Sequence, residues 1–170
     1  EYFVYASLPF ATFLPAVRST QELVRPFGGF RRAFGRVPPL RLGRHPALPW
    51  AALAAAAGGL AGIGVWPNRL HALVWVAPLL IIAALRSLRH EPHPLQNLTR
   101  PYWTAPAAAV LAALVCGFFW EMWNSGSLAQ WRYSVPFVQR FEVFAMPLLG
   151  YAGYLPFGLE CAAVCRLVED

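Results

Sequence analysis

Three glutamates carry most of the chemistry this sequence offers. Glu121, Glu142 and Glu160 fall within one stretch, Phe118 to Glu160, of an otherwise apolar chain. Trp120, Trp123 and Trp131 flank Glu121, and Tyr133 follows close behind. Glu142 and Glu160 bracket Pro147, Gly150, Gly153, Pro156 and Gly158, a run of helix breakers. Acids and breakers are costly at membrane depth, so they single out this stretch as the place to look for function. A carboxyl group in an apolar pocket suits a general acid or a proton relay. Beside Arg132 or Arg140, Glu121 would instead pin a loop to the bundle. Pinning is the favoured reading, because no complete catalytic motif accompanies these acids. On a regular helix Glu142 and Glu160 would stand about 27 Å apart, too far to act as a pair. Only an unwound Leu149–Gly158 segment would bring them closer.

The composition states what must position these residues. Of 170 residues, 58% are hydrophobic and 13% charged, and the mean hydropathy is +0.45. Soluble domains carry about 25% charge, so the chain reads as a single integral membrane domain, 1–170. Its fold class is all-α, a polytopic transmembrane bundle of about five spans, with the last helix broken by Pro and Gly. The net charge of +6 is carried by Arg alone. Those arginines lie between apolar spans, a placement that fits membrane topology and argues against nucleic acid as a partner. The chain begins at Glu1, already close to an apolar run, and reads as part of a longer protein.

Tyr2 to Val17 is a short apolar segment containing Pro9 and Pro15. A basic loop over 18–45 follows, with Phe27, Phe30 and Phe34 among its arginines, a mixture suited to an anionic lipid surface. Ala47 to Trp66 is the clearest span, and its Ala54, Gly58 and Gly62 form a small-residue stripe that would let a neighbouring backbone approach. Pro67-Asn68 predicts a tight turn into a third span, Arg69 to Leu85, kinked at Pro78. A second basic loop covers 86–103. Thr104 is a predicted N-cap for a span reaching Trp123, and a loop over 124–136 leads into Phe137–Val168, too long for one straight crossing.

Eleven arginines fall in the 18–44 and 86–100 loops and the tail, against three (Arg69, Arg132 and Arg140) on the other side. This predicts a bacterial inner-membrane protein with its basic loops cytoplasmic and the 124–136 loop periplasmic. Aromatic anchors agree, with Trp50, Tyr102 and Trp103 at one interface and Trp66, Trp120, Trp123 and Trp131 at the other.

Cys116, Cys161 and Cys165 lie in apolar segments and read as buried thiols. His90-Glu91-Pro92-His93 superficially looks like a metal pair, but the intervening Pro and the lack of further ligands argue against a metal. His71 lies too near a span end to suit a tetrapyrrole. No cofactor is required by the sequence, although its small and aromatic residues would suit lipid, quinone or carotenoid.

The strings WEMWN (Trp120–Asn124), WRYSVP (Trp131–Pro136) and MPLLGYAGYLPFGLE (Met146–Glu160) resemble a family of uncharacterised bacterial multi-pass membrane proteins. The match covers about the last third of the chain. In layout, an acid after Trp, then W-x-Y, then a Pro-rich apolar segment is also similar to lycopene cyclase domains. Those are small helical membrane enzymes that protonate a polyene, and Glu121 would match their early acid. Their paired acids are missing here, since Pro147-Leu148 is followed by Leu149-Gly150.

Two functional expectations result. One is a non-catalytic accessory subunit of a larger membrane complex, photosynthetic or respiratory, with other membrane-protein subunits and anionic lipids at the 18–45 loop as partners. The other is an isoprenoid-, carotenoid- or lipid-modifying enzyme using Glu121, Glu142 or Glu160 as acid.

Overall fold

The computed structural model describes residues 2–41, 45–133 and 140–169. The described chain is mostly helical. Helices α1 (Tyr2–Val24), α2 (Gly28–Phe34), α3 (Leu48–Ile63), α4 (Pro67–Leu70) and α5 (Leu73–Leu88) are followed by a 3-10 turn, Pro94–Thr99, and α6 (Thr104–Ser125). A small hairpin, β1 (Glu142–Val143) with β2 (Met146–Pro147), leads through a second 3-10 turn, Leu148–Gly153, into α7 (Tyr154–Glu169). Two segments, Thr104–Ser125 and Leu148–Val168, are long and apolar enough to cross a membrane.

Several boundaries differ from the sequence expectation. Helix α1 does not stop at Val17 but runs to Val24, past Pro9 and Pro15. An Arg18–Glu22 ion pair at 2.9 Å, one turn apart, supports the added residues. The loop expected over 18–45 therefore starts after Val24, and it contains the short helix α2. Helix α3 has 16 residues, about 24 Å of rise, rather than the twenty expected. It closes at Gly64, and a turn of α4 replaces the tight Pro67-Asn68 reversal. Helix α5 continues through Pro78 to Leu88. The break in the final segment falls before Tyr154, where the hairpin and 3-10 turn stand in place of helix. Pro156 then sits in the first turn of α7, where a missing N–H costs nothing.

Helices α1, α5 and α7 run one way, and α3 and α6 return between them. Phe13 of α1 lies against Trp120 of α6 and stacks on Phe157 of α7. Trp75 of α5 meets Tyr154 and Phe157 of α7. Leu70 and Leu73 fold back onto Gly62 and Gly59 of α3, closing a helical hairpin. The basic segments consequently gather at one end, where Trp103 N donates to Phe34 O at 3.0 Å and Leu40 N to Leu98 O at 2.8 Å.

What fills the interior is small. Ala56, Ala77, Ala83, Ala84, Ala108, Ala109, Ala112 and Ala113 are buried, while Leu111, Val115, Phe118, Phe119 and Trp123 point outward. Helices meet so closely that a Cβ on Gly158 would strike the Ala109 carbonyl of α6. Such contact packs the backbones of α6 and α7 almost directly against each other.

Candidate functional site

Helix α6 turns one stripe inward: Pro106, Ala109, Ala113, Gly117, Glu121 and Asn124, at spacings of three and four. The upper part of this stripe is where polarity enters. Glu121 and Asn124 are each 1% exposed, the most deeply buried polar side chains among the described residues.

Glu121 is held by two phenols. Tyr133 donates to its Oε1 at 2.5 Å, and Tyr154 donates to the same oxygen at 3.2 Å. Trp131 Nε1 donates in turn to the Tyr133 hydroxyl at 2.7 Å, so an N–H···O–H···O chain runs from the loop into the bundle. Burial, followed by the hydrogen bond to Glu121, holds the Tyr133 phenol well above its ordinary range and keeps it a donor. The second oxygen, Oε2, is shut off from solvent and meets no hydrogen-bond partner.

Gly117, one turn before Glu121, makes the second phenol's approach geometrically open. The Tyr154 ring occupies the space a Cβ at Gly117 would fill, and Trp75, Tyr151 and Phe157 crowd the ring's other sides. Asn124, one turn after Glu121, fixes the loop. Its Nδ2 donates to Trp131 O at 2.9 Å and its Oδ1 accepts from Trp131 N at 2.9 Å. A side-chain amide thus stands in for a strand neighbour, orienting the indole that supports Tyr133.

The three glutamates do not converge. Glu142 is exposed on β1, in a hairpin where Phe141 and Phe144 both take positive φ. Glu160 is half-buried on α7, six residues past Tyr154, hence about 9 Å along the axis and roughly 120° around it. Neither Arg132 nor Arg140 is the partner of Glu121. Both are exposed, and tyrosines do the work expected of arginine. Ser134–Gln139, with the end of the WRYSVP string, lies outside the described residues.

Other expected positions resolve individually. Gly58 faces open space, while Gly62 and the unanticipated Gly59 take up the leucine contacts of the hairpin. Trp50, Trp66, Trp123 and Trp131 are exposed, Trp50 at the basic end and the other three at the opposite one. Trp103 is half-buried, its backbone tied to Phe34. Trp120 is half-buried, its ring against Phe13. Cys116 and Cys161 are buried beside Val17, Ala112 and Tyr154. Gly117 and Tyr154 escaped the sequence reading; the spacing Gly117-x3-Glu121-x2-Asn124 was the available signal for the first. Glu121, Glu142 and Glu160 line neither the cleft between Ala52, Leu80 and Arg100 nor the small cavity beside Gln21 and Arg166.

Comparison of the chain with protein-family models, curated proteins and solved structures returns no match.

Proposed function

We propose that the protein is a multi-pass bacterial inner-membrane protein that acts as a non-catalytic subunit of a larger membrane assembly. The observation that carries this reading is the way the acids are used. Glu121 is taken up by Tyr133 and Tyr154 and serves to fasten the loop and α7 to α6, while Glu142 and Glu160 lie elsewhere. Large apolar side chains outside and alanine inside support a lipid surround, the reverse of the pattern in water. Helix α3 supports the subunit role. Its main contacts among the described residues are with α5 and α4, and its far side offers Ala54, Ala57, Gly58 and Ala61, small residues suited to a second helix. With five helices taken as crossings, the positive-inside rule puts the basic end in the cytoplasm.

Extraction in a mild detergent followed by native mass spectrometry tests the proposal. A stoichiometric membrane-protein partner is the expected result, and a stable solitary chain would count against it.

The unpartnered Oε2 of Glu121 favours a second reading, an isoprenoid- or carotenoid-modifying enzyme with Glu121 as acid. On that reading Glu121→Gln abolishes a change in cellular lipid or carotenoid profile while the protein still assembles. An unaltered profile on gene deletion removes it.

A further inference from the structure

At the basic end, away from Glu121, the chain holds a cleft of about 810 Å³, within the size range of small-molecule sites. One side is apolar, formed where the start of α3 (Ala52) faces the end of α5 (Leu80, Ala84). The other side is polar and basic, formed by His45, His90, His93 and Arg100 from the connections. The gradient runs along the helix axes, from hydrocarbon-like walls to cationic and hydrogen-bonding groups.

The polar groups are set for an acceptor-rich ligand. His45 Nδ1 accepts from Ala47 N at 3.2 Å, so the neutral ring carries its proton on Nε2, as a donor. His93 Nδ1 is shielded from solvent and unpartnered. The Arg86–Glu91 ion pair, 3.3 Å apart, occupies the acid of the 90–100 connection. Arg100 supplies the fixed positive charge.

His90 adds an independent sign. Helix α5 ends with His90 N on Ser87 O at 3.1 Å and Glu91 N on Arg86 O at 2.8 Å. That is the Schellman pairing, with His90 at φ 59° in the position glycine ordinarily takes. An imidazole thus stands on a left-handed backbone at the rim of the cleft.

We infer that this cleft binds an anionic phospholipid, its phosphate among His45, His90, His93 and Arg100 and an acyl chain along α3 and α5. Phosphate diesters match the donors, and only an amphiphile also matches the walls. The inference rests on reading α3 and α5 as membrane-spanning.

The test uses the full chain in phosphatidylcholine nanodiscs, with phosphatidylglycerol titrated in and thermal stability followed by thiol-dye reactivity. Phosphatidylglycerol should raise the melting temperature well beyond an equal addition of phosphatidylcholine. In His45→Gln/Arg100→Gln the half-saturating fraction of phosphatidylglycerol should rise at least tenfold. His90→Gly should raise the melting temperature in phosphatidylcholine alone, by relieving the backbone, while weakening the phosphatidylglycerol response. Equal responses to the two lipids overturn the inference, as does an undiminished response in both variants. Inorganic phosphate or glycerol phosphate reproducing the full shift overturns the lipid as the source. Failure to insert into phosphatidylcholine bilayers at all would instead overturn the membrane reading beneath it.

Discussion

The Tyr154 ring lies where a Cβ on Gly117 would be, and its hydroxyl ends 3.2 Å from Glu121 Oε1. One missing side chain on α6 thereby sets the depth at which α7 docks and delivers a donor to a buried carboxyl group. The interhelical contact and the polar cluster are a single arrangement, and each can be tested through the other.

Gly117→Ala should destabilise the protein, because the ring it displaces is held by Trp75, Tyr151 and Phe157. Overpacking of this kind costs about 1–3 kcal/mol, outweighing the roughly 1 kcal/mol that Ala gains over Gly in a helix. Gly158→Ala should cost more, since it meets the Ala109 backbone, which cannot rotate aside. Thermal unfolding in detergent, read by dye capture of the buried Cys116 and Cys161, would show the ranking.

Tyr133→Phe should loosen the loop by about 1–3 kcal/mol, the range for losing a hydrogen bond to a buried polar or charged group. Tyr154→Phe should cost less, its bond being longer. Because both phenols share Oε1, the double variant should depart from additivity. A double-mutant cycle on the melting transition checks this.

Asn124→Ala removes both bonds to the Trp131 backbone and should cost about 1–2 kcal/mol. Its effect should be local. Hydrogen exchange at Trp131 and limited proteolysis over 126–133 should accelerate while the α3–α5 hairpin stays protected.

Burial, with Arg86 adding its repulsion, holds His93 below the ordinary histidine value of 6.5. Between the lowered folded value and 6.5 the unfolded chain binds more protons, so this contribution to stability is complete above about 6.5 and is lost as pH falls from there through the folded value. Arg86, Arg89, His90, Glu91 and Arg100 lie on the same connection as His93, and His45 lines the same cleft. The melting temperature of the wild type should fall further between pH 7.5 and 5.5 than that of His93→Asn. Equal falls would assign the acid sensitivity elsewhere.

Topology has its own measurement. With the native cysteines replaced, Leu128→Cys should react with a membrane-impermeant maleimide added to intact cells or spheroplasts. Ala33→Cys should react only after permeabilisation. Reversed labelling would invert the orientation.

Helical class, the existence of the main helices and the gathering of arginine at one end were legible in the residues alone. Charge and hydropathy are properties of the chain, and each segment carries its own. The importance of Glu121 was legible too, because an acid among tryptophans in an apolar run is costly wherever the run folds. Its partner was not. Arg132 and Arg140 are the charges nearest in sequence, yet the donors are Tyr133 and Tyr154, the latter 33 residues away. That choice depends on how closely α6 and α7 approach, which Gly117 and Gly158 permit only once they face each other. Likewise Ala54, Gly58 and Gly62 announce a small-residue helix face, but which glycines receive a neighbour is decided by the rotation of α3 against α5. A side chain's type and its cost of burial are written locally. Whether it meets a phenol, another helix or the surroundings is set by the interhelical distance and rotation, which no single segment encodes.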